Sequence, residues 1–188
     1  MPSLVGSEMC IRDRSMNIDR TAADYMGMLA TVINALAVSE SLISEGVDAV
    51  VLTSLAITGV GEPFNFKNAD KYLKEGKIVV FGGGTGNPYF STDTGASLRA
   101  VEIGADVILL AKNVDGIYDS DPKTNPFAKK YDRLTYADIL NRNLKVIDFT
   151  AATMCMENNV PTLAFGLDED KSIVRAVCGE ELGTVITV

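Results

Sequence analysis

The stretch from Phe81 to Asp93, FGGGTGNPYFSTD, constrains this chain more than any other. An apolar run, Lys77-Ile78-Val79-Val80-Phe81, meets three consecutive glycines, and a second glycine turn, Thr85-Gly86-Asn87-Pro88, follows at once. Tyr89, Phe90 and the polar trio Ser91, Thr92 and Asp93 complete it. The order predicts a buried strand, a loop with exposed backbone, and a helix starting near Thr92 or Asp93. Glycines remove side chains and let backbone N–H groups converge on a ligand. The helix N-terminus adds dipole and unpaired donors. Ser91 and Thr92 add hydroxyls. The stretch reads as an anion site or as a turn that only redirects the chain, and it matches neither GxGxxG nor GxxxxGK[ST].

The remainder alternates between strand and helix patterns. Residues 22–42 repeat Met26, Leu29, Ile33, Leu36 and Ala37 at helical spacing, with Asp19 or Thr21 as the cap. So few polar residues over about five turns predict burial on more than one side, the second being a subunit contact. Asp24 on this helix needs a partner, a ligand or the favourable dipole of a first turn. Strands are expected at 47–54, 77–81, 105–111, 161–165 and 183–188, and helices at 68–75, 94–103, 135–140, 150–158 and 172–177. Thr135 with Asp138 approximates a capping box. Residues 56–66 and 125–133 are expected to be irregular. This alternation predicts an α/β fold with a largely parallel sheet.

Composition narrows the chemistry. The 188 residues suffice for one domain with a sizeable core. A net charge of −8 argues against a nucleic-acid polymer as partner. The chain lacks histidine, which removes histidine bases and the usual histidine-containing zinc sites. The three cysteines, Cys10, Cys155 and Cys178, form no CxxC and fit a reducing cytosol. No apolar run long enough for a membrane span and no apolar signal core are expected. Residues 1–15 show no persuasive periodicity and read as a foreign or disordered tail, leaving 16–188 as the domain.

Ligands of parallel sheets collect beyond the C-terminal strand ends. Three clusters are expected there: residues 83–92, residues 112–121, and Asp148 beyond the apolar pair Val146-Ile147. Phosphoryl transfer would use such groups coherently, since it asks for positioning and charge neutralisation rather than a covalent intermediate. Tyr118 would stack on a base or pack its turn. Asp148 would serve chemistry or cap the helix after it. Lys112 would neutralise a phosphate or sit solvated at a strand end.

Five segments together carry a family resemblance: Asp24-Tyr25-Met26-Gly27-Met28-Leu29-Ala30-Thr31; the Gly84–Asp93 loop GTGNPYFSTD; Val114-Asp115-Gly116-Ile117-Tyr118 with Asp121-Pro122; Leu134-Thr135-Tyr136; and Lys145-Val146-Ile147-Asp148. From Asn17 onward the chain resembles bacterial uridylate kinase (UMP kinase) of the amino-acid kinase superfamily. That resemblance implies a three-layer α/β sandwich of the carbamate kinase-like type. It implies transfer of the γ-phosphate of ATP to UMP with Mg²⁺, in de novo pyrimidine synthesis, by a cytoplasmic homohexamer. UMP would meet Asp24 and the loop Thr85, Gly86, Asn87, Pro88, Tyr89, Phe90, Ser91 and Thr92, largely through backbone groups. Lys112, Asn113, Tyr118 and Asp121 would line the ATP site, and Asp148 would organise the catalytic groups. No protein metal ligand is implied.

The family also opens with a strand and a KLSGE-type segment, followed by a GGGN loop and an arginine. None occurs before Asn17, and Gly82-Gly83-Gly84 is not that loop because it leads into TGNP. The expectation is a fold incomplete at its N-terminus, with impaired transfer. The rival readings are a non-catalytic nucleotide-binding fragment and a related amino-acid or carbamate kinase.

Overall fold

A computed structural model describes residues 18–144, 146–180 and 182–188. The expectations for residues 1–15 and for Lys145 lie outside them. The chain divides into two compact units, one ending at Gly95 and one beginning at Ala96.

The first unit is a parallel sheet carried by one long helix. Helix α1 (Arg20–Ser44) starts where Asp19 Oδ1 accepts the Ala22 amide at 3.2 Å. It ends at Glu45, ahead of Gly46 at φ 81°. Strand β1 (Ala49–Thr53) pairs in parallel with β2 (Glu62–Pro63) and β3 (Ile78–Gly82), in the order β2-β1-β3. Between β2 and β3 runs α2 (Phe66–Lys74), capped by Asn65. The register Ala49↔Ile78 through Thr53↔Gly82 brings the ends of β1 and β3 level, where the glycine loop begins. Helix α1 packs on β1 and β3 through a face that includes Met28, Val32 and Ala35. At Gly82 an added Cβ would lie 3.1 Å from the Val32 Cα, so helix and strand touch backbone to backbone. Helix α3 (Thr92–Ile103) follows the loop.

The second unit has a four-stranded mixed sheet. Strands β4 (Ile108–Lys112), β7 (Arg133–Thr135), β8 (Thr162–Gly166) and β9 (Thr184–Thr187) lie in the order β4-β8-β9-β7. Pairs β4·β8 and β7·β9 are parallel, while β8·β9 is antiparallel. Strands β5 (Ile117–Tyr118) and β6 (Lys130–Tyr131) form a small antiparallel ribbon. Helices α4 (Tyr136–Arg142), α5 (Phe149–Glu157) and α6 (Ser172–Val177) complete it. Its core is closed by Tyr136, Ile139, Ile117, Ile186 and Cys155, all fully buried. The Tyr136 hydroxyl donates to the Val160 carbonyl at 2.7 Å and meets the Thr162 hydroxyl at 2.7 Å, so a buried polar atom is satisfied. Burial pushes that phenol well above its ordinary range.

The α/β class with parallel pairing therefore holds, and the Thr135–Asp138 capping box is present. Four short strands depart from expectation. Strand β2 lies inside the expected irregular stretch 56–66, β6 and the start of β7 inside 125–133, and β5 in the expected 112–121 loop. Strands of two or three residues carry no periodicity and are defined by their partners. Val146 and Ile147 form a turn rather than a strand, so Asp148 follows no strand end. Helix α1 is long and apolar enough to cross a membrane by length and composition alone, a test that helices of water-soluble folds also pass, so the expectation of no membrane span is not overturned. One face of it, with Asp24, Met28 and Val32, is buried against its own unit, while Met26, Leu29 and Ile33 are exposed.

Candidate functional site

In the first unit the glycine loop folds back over α1. Gly83 donates its amide to the Thr31 hydroxyl at 2.9 Å, and that hydroxyl donates to the Met28 carbonyl at 2.7 Å. Ser54, just after β1, donates to the Gly84 carbonyl at 2.6 Å. Gly86 sits at φ 79° with its amide on the Gly83 carbonyl at 2.9 Å, and an added Cβ would lie 3.0 Å from the Ser54 carbonyl oxygen. Only glycine meets both conditions without displacement. The Asn87 amide bonds the Thr85 hydroxyl at 3.2 Å, and the Tyr89 amide bonds the Asp24 carboxylate at 2.8 Å.

These bonds change the meaning of the glycines. The amides of Gly83, Gly86, Asn87 and Tyr89 have partners within the protein, so at these positions the glycine-rich stretch is a shaped turn rather than an open cradle of donors. What it shapes is a cleft. Asp24, Met28 and Thr31 of α1 form one wall, Gly84, Thr85 and Asn87 the second, and Phe90, Ser91 and Thr92 the third. Ser91 accepts the Thr94 amide at 3.1 Å and so caps α3, whose first residue, Thr92, stands at the cleft. Asp93 adds a carboxylate to that first turn.

The expected residues Asp24, Thr85, Asn87, Phe90, Ser91 and Thr92 thus come together. Gly86, Pro88 and Tyr89 belong to the loop without lining the cleft. Met28 and Thr31 are additions. Their spacing from Asp24, four and seven residues on one helix, is the signal that would have found them.

The second unit has its own pocket. Val114, Gly116, Tyr118, Asp119, Asp121 and Pro122 face Arg142, Asn143, Leu144 and Val146 across it. Tyr118 donates its hydroxyl to Asp115 Oδ1 at 2.7 Å, and Lys130 on β6 reaches Asp115 Oδ2 at 3.1 Å. Burial raises the Asp115 carboxyl, but the bonds from Tyr118 and Lys130 outweigh it and hold it below the usual carboxylate range. The same bond, with burial, raises the Tyr118 phenol. The Lys129 amide and then the Ser120 hydroxyl hold the Asp119 carboxyl low. Asp121 Oδ1 accepts the Lys123 amide at 2.9 Å, so this carboxylate also shapes its own turn.

Tyr118 and Asp121 therefore share a pocket, while Lys112 and Asn113 do not line it. Lys112 ends β4 and accepts the Leu167 amide on its carbonyl at 2.8 Å. Arg142 and Asn143, at the end of α4, with Leu144 and Val146 beyond them, are the lining residues outside the expected 112–121 cluster and its neighbour Pro122. A basic residue in the last helical turn, and an asparagine at φ 53° behind it, are ordinary helix-end features and gave no separate signal. Asp148 lies outside the pocket as well. It is the cap of α5, accepting the Ala151 amide at 3.0 Å. Among the described residues no three Asp, Glu or Cys side chains are grouped to hold a metal.

Solved structures of known proteins share this fold. The UMP kinase of Bacillus anthracis superposes with a TM-score of 0.89 at 39% identity, over 93% of this chain and 72% of its own. The UMP kinase of Ureaplasma parvum gives 0.88 at 38% identity, over 93% and 75%. The uridylate kinase of Archaeoglobus fulgidus gives 0.71 at 35% identity, over 97% and 79%. The amino acid kinase family model matches residues 6–165, and the chain belongs to the amino acid kinase family.

Proposed function

We propose that the chain is an ATP-dependent kinase of UMP, forming UDP and ADP. The observation that carries this reading is the cleft of the first unit. There a buried carboxylate, Asp24, four hydroxyl residues (Thr31, Thr85, Ser91 and Thr92) and the N-terminus of α3 face one space. A nucleoside monophosphate presents matching chemistry. Its ribose hydroxyls donate to a carboxylate, and its phosphate takes hydroxyl donors and a helix N-terminus. Thr92 is assigned to the phosphate and Asp24 to the ribose or base. Side chains and the start of α3 carry more of the recognition than loop amides do, because several of those amides already have partners.

ATP is assigned to the pocket of the second unit, with Tyr118 against the adenosine and Arg142 as a cation for phosphate. Lys112 and Asn113 are assigned to the same nucleotide from the strand end beside it in sequence. Asp148 is assigned to organising the transfer while it caps α5. Mg²⁺ would arrive on the ATP phosphates rather than in a protein cage, and no step is derived through it.

The exposed stripe Met26, Leu29 and Ile33 on α1 supports a homo-oligomer built on that helix. The resemblance implies a hexamer, in the cytoplasm and in pyrimidine nucleotide synthesis. Calorimetric titration of the purified chain with UMP, AMP, aspartate and glutamate tests the assignment, together with UDP formation from Mg·ATP and UMP. Selective UMP binding is expected. Preference for an amino acid would overturn it.

A further inference from the structure

Tyr89 has a backbone conformation that its side chain does not favour. Its φ is 72°, in the left-handed region that suits glycine or asparagine. A bulky residue stays there only when its surroundings hold it. Three residues from the first two turns of α1 do so. Asp24, with 4% of its surface exposed, accepts the Tyr89 amide at 2.8 Å. The Arg20 guanidinium lies 4.8 Å from the Tyr89 ring centre and 3.7 Å from the Asp24 carboxylate. The Thr21 hydroxyl meets the Tyr89 hydroxyl at 3.2 Å. Arg20 is otherwise misplaced, since a cation in a first helical turn opposes the macrodipole. The cation–π contact and the ion pair give it a reason to be there.

We propose that Arg20, Asp24 and Tyr89 form a clasp that fixes the shape of the 85–92 loop. Arg20 and Tyr89 are then positioning residues for UMP, although neither lines the cleft. The clasp acts through two ends. It fixes Asp24 on the helix side and the Pro88–Tyr89 peptide, one residue ahead of Phe90, on the loop side, and both Asp24 and Phe90 line the cleft. The ligand half of this inference rests on the acceptor assignment above, while the mechanical half does not.

Two pairs of variants separate the contributions. Tyr89→Val places a β-branched residue where φ is positive, whereas Tyr89→Gly removes the ring but accepts the backbone. Arg20→Met keeps the aliphatic stem without charge, whereas Arg20→Lys restores a cation over the ring. UMP and ATP affinities are measured by calorimetry on the full chain, and amide exchange is followed over residues 84–92. Tyr89→Val is expected to weaken UMP binding at least about tenfold and to raise exchange in the loop, with Tyr89→Gly, which keeps the amide bond to Asp24 but loses the ring contacts, recovering only part of it. Arg20→Met should weaken UMP binding several-fold and Arg20→Lys recover part, with ATP affinity unchanged throughout. Unchanged UMP binding and loop exchange in Arg20→Met and Tyr89→Val overturns the proposal. So does equal weakening of both nucleotides, which marks a merely structural role. A wild-type chain that fails to bind UMP overturns the acceptor assignment and the ligand half with it. The clasp is then decided by the exchange data alone.

Discussion

At Asp115 a phenol and an ammonium share one carboxylate. Tyr118 holds Oδ1 and Lys130 holds Oδ2. The consequences for pH have opposite signs. The Asp115 carboxyl is lowered in the fold, so its contribution is present above the ordinary carboxylate value and lost as pH falls through the folded value. The Tyr118 phenol is raised, so its contribution is present below the ordinary phenol value near 10 and lost as pH rises through the folded one. The Asp115 side chain is 43% exposed, so solvent screens both effects and the stability at stake is small. The titration itself is the sharper readout. In Asp115→Asn one phenol should ionise at lower pH than in the wild type, seen as a shift in the ultraviolet phenolate absorbance. An unchanged curve would show that the Tyr118–Asp115 bond does not form in solution. A second residue-scale expectation concerns Gly86, whose φ and whose approach to Ser54 both exclude a side chain. Gly86→Ala should lower UMP affinity about tenfold while ATP affinity holds, because the displaced segment is the cleft wall.

Helix α5 separates two tasks that Asp148 performs by assignment. Its carboxylate caps the helix, and the same carboxylate is assigned to catalysis. Serine also caps well but carries no charge, whereas alanine does neither. Asp148→Ala should therefore cost about 1 kcal/mol in thermal or urea unfolding, and Asp148→Ser only a few tenths. UDP formation should fall in both variants, by about 100-fold or more. Activity that follows the cap, kept in Asp148→Ser and lost in Asp148→Ala, would leave Asp148 with a structural role only. The elements also show what a sequence can convey. Helix α1, strands β1, β3, β4 and β8, and the start of α3 were legible because apolar runs and polar caps are local signals. The cleft was legible for the same reason, since Asp24 and GTGNPYFSTD each stand at an element end. Strands β2, β5, β6 and β7 were not legible, because two or three residues become a strand only through a partner distant in sequence. Tyr89 was hidden differently. A left-handed tyrosine has no compositional mark, and its cause, Asp24, lies 65 residues away.

At the scale of the molecule, α1 carries two apolar faces that make opposite predictions. Val32 is 2% exposed and packs at the β3 end, beside Gly82, whereas Ile33, the next residue, is 54% exposed. A helix apolar on both sides is stable in water only if each side is covered. The sheet of the first unit covers one. Met26, Leu29 and Ile33 of the other recur at the three- and four-residue spacing of a helix–helix seam. A second copy of the chain is the assigned cover. Val32→Ala removes contacts within the unit, so it should cost about 2 kcal/mol and leave the solution mass unchanged. Ile33→Glu leaves those contacts alone but places a charge where a partner would exclude water. Its mass by light scattering should therefore fall toward that of one chain. Its melting temperature should also lose the dependence on protein concentration that an assembling protein shows, because assembly stabilises the folded state by mass action. A wild-type chain that is monomeric at every concentration, or an Ile33→Glu chain with unchanged mass, would remove α1 from the subunit contact. The apolar exposure of α1 would then require a different cover, while the cleft at its first turns would keep its geometry, since Asp24 and Met28 lie on the buried face.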